Sequence, residues 1–172
     1  MVNGRSNARH HAHREGRRLA LAALFEAEFG QRTAGSALER QVELGGTDPE
    51  AVAYAHELIG IVVAERDRLD ELIARYAPAY PVTQLARIDR SLLRSAIGEL
   101  LHSATTPAGV AISEWVELAR EYSGEPARRL VNGVLGRIAK ADSGTGSERA
   151  TRTRGPGPTA GEGPVSDEGS AR

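Results

Sequence analysis

The chain has no cysteine, and its aromatics are one tryptophan, two phenylalanines and four tyrosines among 172 residues. Without cysteine there is no disulfide framework, no thiolate metal site and no cysteine nucleophile. With aromatics at 4% and the hydrophobic fraction at 40%, a core must be built mainly from Leu, Ile, Val and Ala, which favours helix packing. No apolar run approaches the roughly 20 residues that span a bilayer. The polar amino terminus lacks the apolar segment of a secretory signal, so a cytoplasmic location is expected. No stretch alternates apolar and polar residues as a half-buried strand would. The length suits one domain with a real core and little more.

Lysine is scarce too: Lys140 is the only one, and arginine is the default cation. The formal net charge of -1 argues against nucleic acid only if the charge is evenly spread. It is not. Arg5, Arg9, Arg14, Arg17 and Arg18 face a single acid, Glu15, in the first eighteen residues, with His10, His11 and His13 interleaved. A basic start on an acidic remainder suits a molecule that binds phosphate at one end and something else on its remaining surface.

Helical periodicity begins at Arg17, where Leu21, Leu24, Phe25 and Phe29 share a face and Gly30 is a stop. Ser36 and Glu39 form a capping-box pattern that starts a second helix, ending at Gly45–Gly46. Asp48 and Pro49 start a third. Its inward positions, Val52, Ala55, Ile59, Val62, Leu69, Ile73 and Tyr76, alternate spacings of three and four with Arg66 as the polar interruption. Unbroken to Ala77, this helix would extend roughly 40 Å at 1.5 Å per residue and pass from one helix group to another. Pro78 and Pro81 close it. A helix over 87–100 follows, with Asp89, Arg90, Arg94 and Glu99 largely off its apolar face. The next spans 110–122, with Ile112, Trp115, Val116, Ala119 and Tyr122 inward. The last is expected over 127–138. The expected fold is all-α, about seven helices in two three-helix groups linked by the long helix. Residues 1–13 read as a flexible basic arm, 14–140 as the helical domain, and 141–172, rich in Gly, Ser, Thr, Pro and charge, as a disordered tail.

Few features suggest chemistry. The arginine-rich arm offers planar donors for phosphate and faces for base stacking, but an ordinary solvated arm explains the same residues. His10, His11 and His13 match no compact zinc spacing, and neither a metal nor a cofactor is expected. Asp67, Asp70 and Glu71, interleaved with Arg66 and Arg68, read as a charge-laced surface. No glycine-rich phosphate loop or nucleophile elbow appears, and no enzyme is expected. Trp115 reads as core. Phe25 either closes the core or sits where a partner docks. Asn132–Gly133 interrupts a helical pattern, which favours a close helix crossing over a bare helix surface open to RNA or protein.

Taken together, these residues resemble the NusB family from about Arg14 to Ile138. The resemblance rests on an Asp-Arg-x-x-Leu-Arg element (Asp89 to Arg94) leading into Glu99 and Leu100, then Pro107 and the segment VAISEWVELAREY. It is completed by LVNGVLGRI, whose Val-Asn-Gly-Val-Leu run spans Val131 to Leu135, and by the arginine-rich start running into ALFEAE. It implies an all-α protein that binds the boxA element of ribosomal RNA leader transcripts together with NusE, a ribosomal small-subunit protein, within the RNA polymerase antitermination complex. By similarity, Arg9, Arg14, Arg17, Arg18, Arg128, Arg129 and Asn132 would contact RNA, and Phe25, Asp89 and Arg90 would face NusE. The chain departs from the family in having Leu130 where an aromatic is common, which would forgo up to about 1–3 kcal/mol of base stacking. It also has Pro126 and Ala127 where an acid and a serine are usual.

Two other functions compete. A helical adaptor, or a homodimer through the first helix, would have the fold without specific RNA binding. An RNA-modifying enzyme would need a cofactor-binding α/β domain, which nothing after Lys140 can form.

Overall fold

A computed structural model describes residues 2–152, with side chains described for 6–142. Seven α-helices follow one another: α1 (Val2–Ala27), α2 (Ala34–Glu43), α3 (Pro49–Ala64), α4 (Arg66–Tyr76), α5 (Arg87–His102), α6 (Ala108–Ser123) and α7 (Glu125–Arg152), with a short 3-10 turn at Val82–Gln84 before α5. Among the described residues there is no strand. Helices α1, α2 and α3 pack on one another, as do α5, α6 and α7, and α4 lies against α5 and α7. One aliphatic core runs through both groups, from Leu21, Leu38 and Leu58 to Leu93, Ile97 and Leu135. Trp115, wholly buried, sits in it as expected.

Helix starts are set by local chemistry. Asp48 accepts a hydrogen bond from the Glu50 N–H at 2.8 Å and Pro49 occupies the first turn of α3. The α2 cap is Thr33, whose hydroxyl accepts from the Ser36 N–H at 3.2 Å. The helix therefore begins ahead of Ser36, and Ser36 serves as its capped amide rather than its cap.

The long helix expected from Pro49 to Ala77 is two helices. Glu65 leaves helical geometry (φ -104°, ψ 14°) between α3 and α4. A straight helix would turn Arg66 inward among Val62, Leu69 and Ile73; the bend leaves Arg66 exposed and both apolar stretches buried. The end segments also differ from expectation. The helix is continuous from Val2, so residues of the expected arm belong to α1. No proline interrupts the chain before Pro49, and Ala12 packs into the core. At the other end the next proline after Pro126 is Pro156, and α7 carries on to Arg152, through the first part of the expected tail. The rest of that tail lies outside the described residues.

Candidate nucleic-acid and partner surfaces

Arg17 is the largest correction to the expected RNA-binding set. It points inward, 1% exposed, and its guanidinium donates to the Glu99 carboxylate through Nε at 2.9 Å and Nη2 at 2.6 Å. The same carboxylate accepts from the Tyr54 hydroxyl and the Trp115 indole N–H, each at 2.6 Å. One acid thus ties α1, α3, α5 and α6 together. Burial favours its neutral form, but the bonds from Arg17, Tyr54 and Trp115 outweigh that and hold the Glu99 carboxyl below its ordinary range. Burial, then the bond to Glu99, pushes the Tyr54 phenol up to about 12. Both charges were legible as anomalies. Arg17 is in phase with Ala20, Leu21 and Leu24, and Glu99 with Leu92 and Ala96, so each sits in an apolar stripe, and their opposite signs suit a pair. Glu99 and Arg94, expected largely off the apolar face, are both buried.

With Arg17 turned inward, the outer face of α1 carries Arg9, His10, Arg14 and Arg18. Each faces an acid from a neighbouring helix. Arg9 reaches Glu50 at 3.3 Å, His10 and Arg14 approach Glu114 at 3.8 Å, and Arg18 meets Glu121 at 2.6 Å. Between α1 and the start of α6 lies an open pocket of about 200 Å³ of mixed lining, with Arg9, His10, His13 and Arg17 on one side and Thr106, Pro107 and Val110 on the other. Exposed Arg129 and Asn132 stand on α7, where Arg128 is held by Glu125 one turn earlier. Leu130, at the position of the family's aromatic, is half-buried and packs against the core. Gly133 makes no close crossing: a Cβ there would meet only the end of Arg137, at 3.6 Å. The favoured packing reading of Asn132–Gly133 is therefore replaced by a bare helix surface.

His13 stacks flat on Tyr54, with ring centroids 3.9 Å apart and planes 5° from parallel. Burial, aided by the charge of Arg17, holds its pKa below the ordinary 6.5. A depressed histidine contributes stability that is fully present above 6.5 and lost as pH falls through the folded value. The unfolding free energy is therefore expected to decline as pH is lowered below 6.5. His13→Phe, which keeps a ring on Tyr54, should flatten that part of the curve. Urea denaturation across the pH series checks it.

Further along α1 the surface turns apolar. Leu21, Phe25, Phe29, Gln41, Ile88 and Tyr122 line an open groove of about 560 Å³. Phe25 is half-buried at its wall, so it borders both the core and the groove. Tyr122, expected inward, is 44% exposed here, and Phe29, beyond the end of α1, is 52% exposed with the Arg87 guanidinium over its ring. Arg90, expected to face a partner, is engaged internally: it binds Glu28 and donates to the Val82 carbonyl at 3.2 Å. Arg94 completes this cluster, bonding Glu28 at 2.6 Å and both oxygens of Asp70 at 2.7 Å. Asp70 is thus a structural partner rather than part of an idle charged surface. Asp89 is half-buried in the first turn of α5, and its Oδ1 is buried with no hydrogen-bond partner among the described residues. The positive end of the helix favours a carboxylate there.

Among the described residues no cluster of three or more His, Cys, Asp or Glu could hold a metal. Nor is any helix among them long and apolar enough to cross a membrane.

The NusB family profile matches residues 14–140. The transcription antitermination protein NusB of Dehalococcoides mccartyi (strain CBDB1) is 39% identical over 136 residues, covering 79% of this chain and 95% of that one. That of Salinispora arenicola (strain CNS-205) is 43% identical over 130 residues, covering 75% and 96%. A crystal structure of antitermination factors NusB and NusE in complex with dsRNA is similar in fold, with a TM-score of 0.68 at 25% identity, covering 76% of this chain and 98% of its counterpart.

Proposed function

The chain belongs to the NusB family, and on that premise we propose that it is a transcription antitermination protein acting in the cytoplasm. It binds boxA RNA of ribosomal RNA transcripts together with NusE, and the assembly helps RNA polymerase resist termination. It is not an enzyme. The observation that carries this reading is the division of α1. Arg9, Arg14 and Arg18 lie on its outer face, and the groove at Phe25 begins within the next two turns. Arg18 and Phe25 are about 10 Å apart along the helix axis at 1.5 Å per residue. RNA on the first surface and a protein on the second would lie side by side. A partner adding its own RNA contacts would raise the apparent affinity of both.

In this reading Arg9, Arg14, Arg18, Arg128 and Arg129 supply phosphate contacts, and Asn132, on the bare surface beside Gly133, reaches a base or sugar. Phe25 anchors NusE, and Asp89 follows the groove residue Ile88 on α5. Arg17 and Arg90 hold the scaffold. A second copy of the chain is the competing occupant of the groove.

The test is fluorescence anisotropy on a short boxA-type RNA across a salt series. Arg14→Ala with Arg18→Ala is expected to weaken binding and to make the slope of log K against log salt shallower by about 0.7, one single-strand phosphate contact at Arg14, with a smaller share from the paired Arg18. Arg17 is left intact, because its loss would report on folding instead. Phe25→Asp should abolish NusE binding while leaving RNA binding by the chain alone unchanged. An unchanged slope in the double variant would leave a helical adaptor.

A further inference from the structure

We propose that Glu121 is a positioning residue that holds Arg18 against α6, competes with RNA phosphate for its guanidinium, and so sets the strength and salt dependence of RNA binding. The proposal rests on the RNA-binding reading above and adds to it a residue of opposite charge.

The outer arginines of α1 do not face open solvent alone, and their acids hold them unequally. Arg14 and Glu114 are 3.8 Å apart, too far for a good hydrogen bond, and Arg9–Glu50 at 3.3 Å is weak and largely exposed. Arg18 and Glu121, at 2.6 Å, form a short charge-assisted bond between the α1 and α6 surfaces. Both side chains remain accessible, Arg18 at 37% and Glu121 at 49%. The pair is therefore tight enough to occupy the guanidinium and open enough for a phosphate to replace the carboxylate.

Exchange also changes the ion balance. An arginine that meets phosphate normally releases the cation condensed there. If Glu121 must let go first, its freed carboxylate attracts a cation in turn, offsetting that release. The structure at Arg18 thus mutes the salt dependence expected of an exposed arginine. The exchange acts on the RNA backbone and carries no sequence information.

Glu121→Gln keeps the length and polarity of the side chain and removes its charge. Anisotropy at low salt should show binding tightened about two- to fivefold, the range an exposed ion pair can withhold. The factor should be the same for a boxA-type RNA and a scrambled control. The log–log salt slope should steepen by up to about 0.7. Thermal denaturation should show Glu121→Gln folded like the parent chain. In an Arg18→Ala background the substitution should produce no gain, because the carboxylate then has nothing to withhold. Unchanged or weaker binding in Glu121→Gln would overturn the proposal, as would a gain that persists without Arg18. If the parent chain binds RNA and only these comparisons fail, Glu121 loses its role and the RNA reading stands. If the parent chain binds no RNA at low salt, both fall.

Discussion

Glu99→Leu is expected to destabilise the protein by about 3–5 kcal/mol, the cost of leaving a buried charge without its partner. Arg17 is 1% exposed among α3, α5 and α6, with the Tyr54 ring 5.5 Å away, and the other carboxylate near it, Glu114, is 3.9 Å from its Nη1, too far for a good hydrogen bond. The Tyr54 hydroxyl and the Trp115 N–H lose their acceptor in the same step, although Tyr54 retains Thr106 at 2.9 Å. Chemical denaturation measures the loss. The double variant Glu99→Leu with Arg17→Met should recover much of it, because replacing a buried pair by apolar side chains of similar volume is often neutral or better. The pH dependence separates the two. A carboxyl held below its ordinary 4.5 contributes stability that is present above that value and lost as pH falls through the folded value. The parent chain should lose stability in that acid range, and the double variant should lack this part of the loss.

Gly16→Ala is the second large effect, and its sign is a contest. Alanine in a helix interior gains about 1 kcal/mol over glycine. At Gly16, however, a Cβ would lie 2.7 Å from the Ala51 carbonyl oxygen and 3.0 Å from Tyr54. The Ala51 carbonyl is backbone in the first turns of α3, so relief requires the two helices to separate, at about 1–3 kcal/mol or more. Separation would also strain the Tyr54–Glu99–Arg17 network and the His13 stack. A net loss of about 1–2 kcal/mol is expected. Gly133→Ala is the control: with only the tip of Arg137 nearby, it should gain up to about 1 kcal/mol. Thermal denaturation of the two single variants should move in opposite directions.

These glycines show where the sequence was readable. Gly133 stands out because it interrupts a periodic helix, yet nothing crosses there. Gly16 is flanked by Glu15 and Arg17 in an arginine-rich stretch, and its need arises from Ala51, 35 positions away, which no local pattern reports. Helix existence was clear wherever Asp48, Pro49, Pro78, Pro107 or Gly124 punctuated the chain. The bend at Glu65 was not, because it has neither proline nor glycine and arises from two helix groups sharing one core. The candidate site divides in the same way. Arginine composition identified α1 as the basic element, but treating its arginines alike mistook Arg17 for a ligand contact. Arg90 was likewise assigned outward, although Glu28, 62 residues earlier, binds it. The acids that face the outer arginines come from α3 and α6, so their pairing belongs to the tertiary structure. Phe25 was left between closing the core and facing a partner, and it is half-buried at the wall of the groove.

The central claim is that one helix presents RNA-binding arginines beside a protein-docking groove. Its most direct test is the affinity of the full chain for a boxA-type RNA, measured by anisotropy with and without saturating NusE at fixed salt, with a scrambled RNA in parallel. The account predicts tighter binding of the boxA-type RNA when NusE is present, little gain for the scrambled RNA, and loss of the gain in Phe25→Asp. Equal and weak binding of both RNAs, unaltered by NusE that is itself bound, would contradict it and leave an adaptor built on the same fold.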